Sequence, residues 1–120
     1  MKVIVDTSIW ISHFKSSHSE LVYLLEADLV VIHDFIIGEL ACGNFAKRKE
    51  IMNLLEMLPR CIVASQTEVL TLIERHKIFS KGIGFIDTHL LASALISNCK
   101  ILTLDKALAR LAVNLRCSFQ

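Results

Sequence analysis

One proline and four glycines in 120 residues are too few for a flexible linker, a collagen-like repeat or a disordered tail. Aromatic residues are also sparse, at 7%, with a single Trp and a single Tyr. Neither sign of charge prevails: 13 Lys and Arg face 12 Asp and Glu, so the net charge of +1 argues neither for nor against a polyanionic partner. Apolar runs such as Val3-Ile4-Val5 and Phe35-Ile36-Ile37 are far too short to cross a bilayer, and no membrane association is expected. The sequence opens Met-Lys and reaches Asp6 almost at once, which predicts no secretory signal peptide and a cytoplasmic protein. Cys42, Cys61, Cys99 and Cys117 are widely spaced and form no C-x-x-C pair, and the five histidines make no H-E-x-x-H pattern. Zinc-finger and zinc-protease chemistry are thereby excluded, and the cysteines are expected to be buried small hydrophobes.

What is abundant is apolar side chain. Hydrophobic residues make up 53% of the chain, enough for a large core, and the length suits one compact domain over residues 1–120. Residues 2–5 are a continuous, mostly β-branched run, as expected of a strand buried on both faces. Further strands are predicted at Leu29–Ile32, Cys61–Ala64 and Ile101–Leu104, with a short edge strand near Leu115–Phe119. Between them the spacing turns helical. Ile9, Trp10, His13 and Phe14 share one face; Ser17-His18-Ser19-Glu20 reads as a capping box for a helix through Leu25; Asp34 is placed to cap a helix ending near Gly43. An amphipathic stretch from Lys47 to Leu58 is stopped by Pro59, and Ser65-Gln66-Thr67-Glu68 is a second capping box. Gly82-Ile83-Gly84 connects this helix to another from about Ile86 to Ser97, and a last helix covers Lys106 to Ala112. Strands that alternate with helices, and are themselves uniformly apolar, predict an α/β fold with a parallel sheet covered on both faces.

Four acids stand out against that frame. Asp6 and Asp105 each end an apolar strand, at the carboxyl edge where open parallel sheets place their sites. Asp87 shares a helical face with Leu90, Leu91 and Ala94, and Glu39 shares one with Phe35, Ile36 and Cys42. Both are expected to point toward the core, where an unpartnered carboxylate is very costly. Taken singly, each has an ordinary explanation: Asp6 and Asp105 as helix caps, Asp87 as an anion in a first turn, Glu39 as half of an ion pair. Taken together, with no matching set of basic residues, they read as one site. An all-carboxylate set selects a hard ion, Mg²⁺ or Mn²⁺, and such an ion serves phosphodiester hydrolysis. If four of the 12 acids are committed to metal, eight remain against 13 cations, a balance of +5 that suits a polyanionic substrate.

The segments Val3-Ile4-Val5-Asp6-Thr7-Ser8, Glu39-Leu40-Ala41-Cys42-Gly43, Phe85-Ile86-Asp87 and Ile101-Leu102-Thr103-Leu104-Asp105 resemble, in order and spacing, the motifs of the PIN-domain family. The resemblance covers essentially the whole chain and is nearest to the small VapC-type toxins of toxin–antitoxin pairs. It implies a PIN-like three-layer α/β/α sandwich and a Mg²⁺- or Mn²⁺-dependent endoribonuclease. It implies Asp6, Asp87 and Asp105 as the principal metal ligands, and Glu39 as a direct or water-mediated fourth. It places Ser8 and Thr103 at the family's hydroxyl positions, where they orient carboxylates or a bound water, although both also suit local turns. A homodimer, an RNA substrate and inhibition by a small cognate antitoxin are implied in the same way. Leu108 stands where many relatives carry an aromatic, an exchange of one apolar residue for another. Two other functions compete: a PIN-like nuclease of RNA processing without an antitoxin, and a catalytically silent binding module. Lys47-Arg48-Lys49, cations at a helix start, suit either phosphate contact or a solvated helix end. His33 lies at the same strand edge with no recognisable nucleophile beside it.

Overall fold

A computed structural model describes residues 1–119. In chain order the elements are β1 (Val3–Val5), α1 (Thr7–Lys15), α2 (Ser19–Glu26), β2 (Val30–Val31), α3 (Asp34–Ala41), α4 (Arg48–Glu56), α5 (Gln66–Arg75), α6 (Phe85–Ser97), β3 (Lys100–Leu102) and α7 (Lys106–Asn114). The three strands form one parallel sheet in the order β2-β1-β3, with Ile4 opposite both Val31 and Ile101. This is the α/β sandwich with a parallel central sheet that the alternation of apolar strands and amphipathic helices predicts. Val3, Ile4 and Val5 of the central strand are 0% exposed, as a strand covered on both faces must be. Around them pack Ile9 of α1, Leu24 of α2, Ile36 of α3, Leu90 and Leu91 of α6 and Leu108 of α7. Burying a Leu or Ile of this kind contributes about 1.5–3 kcal/mol relative to exposure. Trp10 belongs to this core, and its indole N–H donates to the Val5 carbonyl at 3.1 Å.

Because the strands run parallel, their carboxyl ends emerge along one edge. There β1 delivers Asp6, β2 leads to His33, and β3 leads to Thr103 and Asp105. The element boundaries depart from the sequence reading where side chains replace backbone partners. Cys61–Ala64 is not a strand. The chain touches the sheet only at a bridge between Arg60 and Ile32; beyond it the Ile62 and Ala64 N–H groups donate to Ser97 Oγ and Ser93 Oγ of α6. β3 stops at Leu102, because the Leu104 N–H turns to Ser8 Oγ at 3.1 Å. The expected edge strand at Leu115–Phe119 shrinks to a bridge between Ser118 and Ile101.

Caps differ as well. The Ser65 box forms with both of its bonds. The Ser17 box does not: α2 is entered from His18, whose backbone N–H donates to His13 Nδ1 at 3.1 Å. Asp34 is the first residue of α3 rather than its cap, a role filled by the His33 ring. Cys61, Cys99 and Cys117 are buried free thiols, whereas Cys42 is exposed, against expectation. Burial pushes the Cys61 thiol up to about 12, with Cys99 adding to the effect, so it is inert at neutral pH.

Candidate active site

Asp6 occupies the position before α1, yet its side chain makes no capping bond. Its Oδ2 instead accepts from Ser8 Oγ at 2.8 Å and from Thr103 Oγ1 at 2.7 Å. Each hydroxyl also accepts a backbone N–H: Leu104 N to Ser8 Oγ at 3.1 Å, and Asp105 N to Thr103 Oγ1 at 3.0 Å. Both therefore have their protons free for Asp6, which is buried at 6% exposure. The carboxylate is thus oriented by the start of α1 and the end of β3 together. Ser8 and Thr103 do more than shape local turns.

The other three acids reach the same edge from three different helices. Asp105 does cap α7, with Oδ1 accepting from the Leu108 N–H at 2.9 Å. The helix-cap explanation therefore holds for one of its oxygens and leaves Oδ2 outside the cap. Glu39 is exposed on α3 rather than turned into the core, which corrects the reading from its apolar stripe. Its Oε1 accepts from Thr7 Oγ1 at 2.8 Å, which ties the rim of the site to α1. Sequence reasoning misses Thr7; its place between Asp6 and Ser8 is the only signal that points to it. Asp87 sits half-buried in the first turn of α6, behind Gly84 and the bend at Gly82.

Electrostatics join the four. Burial, and then the charges of Asp6, Asp105 and Glu39 in that order, raise the Asp87 carboxyl from 3.8 to about 6. No ion pair among the described residues involves any of these acids; Arg60 instead serves Asp34 and Glu56. Among the described residues, no three His, Cys, Asp or Glu side chains are gathered as a closed set that could hold an ion. The four acids are therefore coupled through space around an electronegative edge, with Asp6, Glu39 and Asp105 each held by a hydrogen-bond donor of its own. All four offer oxygen, the donor type that suits hard divalent cations.

The sequence matches the PIN domain family over residues 3–114, which spans all four acids. The chain belongs to the PIN-domain family. Among curated relatives it is similar to Ribonuclease VapC32 of Mycobacterium tuberculosis, in strains CDC 1551 / Oshkosh and ATCC 25618 / H37Rv. Each is 37% identical over 107 residues, covering 88% of this chain and 86% of the relative. The VapC-type character of its motifs and the observed fold thus agree. Three further features of this PIN domain bear on function. His33, at the same edge, is 0% exposed and held in a buried contact, so it takes no part at the surface of the site. Arg48 of the Lys47-Arg48-Lys49 cluster donates to the Ala41 and Gly43 carbonyls at the end of α3. That use satisfies helix-end carbonyls and withdraws the central cation from phosphate contact. Among the described residues no helix is long and apolar enough to cross a membrane.

Proposed function

We propose that this chain, as one nuclease domain over residues 1–120, is a Mg²⁺-dependent endoribonuclease toxin of a type II toxin–antitoxin pair. Asp6, Glu39, Asp87 and Asp105 are its catalytic and metal-holding acids. The observation that carries the proposal is the placement of the four acids along one sheet edge with no ion pair to any of them among the described residues; burial and the other three acids together raise the Asp87 carboxyl. A carboxylate cluster of this kind wants a cation. Mg²⁺, or Mn²⁺ in its place, would be held by Asp6, Asp87 and Asp105, with Glu39 contributing directly or through water. When bound, such an ion neutralises the cluster and polarises a phosphodiester for attack by water.

The chain's own residues do the rest. Ser8 and Thr103 fix the direction of Asp6, so the ligand arrives already oriented. Thr7 holds Glu39 at the rim. Asp87, protonated in part near pH 6, gives up its proton as positive charge arrives. Likeness to Ribonuclease VapC32 supports RNA as the substrate, and a small cognate antitoxin and a cytoplasmic location belong to the same proposal. A homodimer belongs to the same proposal, and the exposed Leu70 of α5 with Leu95 and Ile96 of α6 supports it as an apolar face for a second copy to cover.

Incubation with single-stranded RNA tests the proposal. Cleavage should require Mg²⁺, stop with EDTA, and return with excess Mn²⁺. Cleavage that continues undiminished in EDTA contradicts it. A short neighbouring reading frame encoding a DNA-binding N-terminal half is expected if the toxin reading is right. Its absence would favour a PIN nuclease of RNA processing.

A further inference from the structure

We infer that His33 and Ser93 form a buried junction that sets α3 against α6, and so act as positioning residues for the acids those helices carry. This rests on the reading of the four carboxylates as one metal site. Glu39 rides on α3 and Asp87 on α6, and a metal set drawn from both is only as well defined as the spacing between the two helices. His33 leads into α3 from the end of β2. Its Nδ1 accepts from the Phe35 N–H at 3.0 Å, capping the helix, and its Nε2 lies 2.9 Å from Ser93 Oγ on α6. An Nδ1 that accepts carries no proton, so the ring is the Nε2–H tautomer and Nε2 donates to the serine. Ser93 Oγ accepts in addition from the Ala64 N–H at 3.0 Å.

One imidazole therefore spans a helix start and a helix sixty positions away in the chain. Both side chains are 0% exposed. In this tautomer the ring donates to the serine and cannot serve as its base, and neither group can meet a substrate, which leaves orientation as its use. Rings complete the contact: Phe35 lies 4.5 Å from His89, and Phe85, two residues before Asp87, meets His89 edge-on at 5.1 Å. Burial, reinforced by His89, keeps His33 neutral, so the tautomer the junction needs persists at working pH.

The test uses the full chain and four variants. His33→Asn keeps an oxygen able to cap α3 but cannot reach Ser93. Ser93→Ala removes the other end at little cost in volume and decides the matter if His33→Asn does not fold. The double variant and a cavity control on the same helix, Leu91→Val, complete the set. Two quantities are measured: Mn²⁺ affinity by calorimetry, and hydrogen exchange of the α3 amides without metal. Each single variant is expected to weaken Mn²⁺ binding about 10-fold and to speed α3 exchange, with the double no worse than either. Leu91→Val should lose melting temperature yet keep both properties. Parental affinity and parental α3 exchange in Ser93→Ala would overturn the junction, as would an equal loss in Leu91→Val. If the parent protein itself binds no Mn²⁺, the metal reading fails, while the exchange comparison still decides the junction.

Discussion

At the scale of single residues, burial first and neighbouring charge second decide how Asp87 behaves without metal. Asp87 binds its proton more tightly folded, at about 6, than at its ordinary 3.8. A raised carboxyl contributes stability that is complete below about pH 4 and is lost as pH climbs through about 6. His33 works in the opposite direction across much of the same window. Its ring is lowered from 6.5 to about 4, mainly by burial, so its contribution is complete above 6.5 and is lost as pH falls toward 4. The two slopes oppose each other, and His89, also lowered by burial, adds to the loss on acidification, so Asp87 should partly offset what the two histidines cost the metal-free protein at low pH. Replacing Asp87 by Asn separates them. The variant is expected to melt higher than the parent at pH 7.5 without metal, and to lose stability visibly on acidification, as His33 is forced to charge. Melting curves from pH 4 to 8 in EDTA check this; an Asp87→Asn protein less stable than its parent at pH 7.5 would show that burial and the neighbouring acids together do not penalise the ionised Asp87.

Elements are legible where one local pattern has no competitor. The capping box at Ser65 and Glu68 forms as read, and Ser65→Ala should cost about 1 kcal/mol in denaturant unfolding while RNA cleavage stays unchanged. Every helix expected from the sequence is present among the described residues, although the Ser17 capping box expected to open α2 does not form, and β1 follows from its β-branched run. What the sequence does not disclose is long-range substitution of one hydrogen-bond partner for another. Cys61–Ala64 has the composition of a strand, but Ser93 and Ser97, far along the chain, take its N–H groups. His33, not Asp34, caps α3, because an imidazole anchored by Ser93 already points at the Phe35 N–H. The acids follow the same rule. Asp6 and Asp105 are readable from strand ends, whereas exposed Glu39 is held by Thr7, a partner 32 positions away. Arg48 illustrates the consequence for function: its donors belong to the end of α3. Arg48→Ala should therefore lower the melting temperature by loosening that helix end, and should leave the salt dependence of RNA binding unaltered. A shallower salt slope would return Arg48 to the phosphate-binding surface.

For the whole molecule, the parallel sheet is what brings four acids distant in sequence to one edge. β1 at its centre places Asp6 between the ends of its neighbours, and α3, α6 and α7 bring Glu39, Asp87 and Asp105 to the same edge. If the four acids hold a metal as proposed, folding and metal binding are linked, since only the folded chain can present the set. At a metal concentration 100-fold above its dissociation constant, Mg²⁺ or Mn²⁺ should stabilise the fold by about 2.7 kcal/mol, a gain that EDTA removes. The same gain should be absent from Asp6→Asn.

The most direct measurement is the rate of RNA cleavage in Mg²⁺ by the parent protein, Asp6→Asn and Asp87→Asn, each shown to be folded. Metal-dependent cleavage by the parent, reduced at least about 100-fold in both variants, is the result predicted. Folded variants that cleave at the parental rate would contradict the assignment of the four carboxylates as the catalytic site.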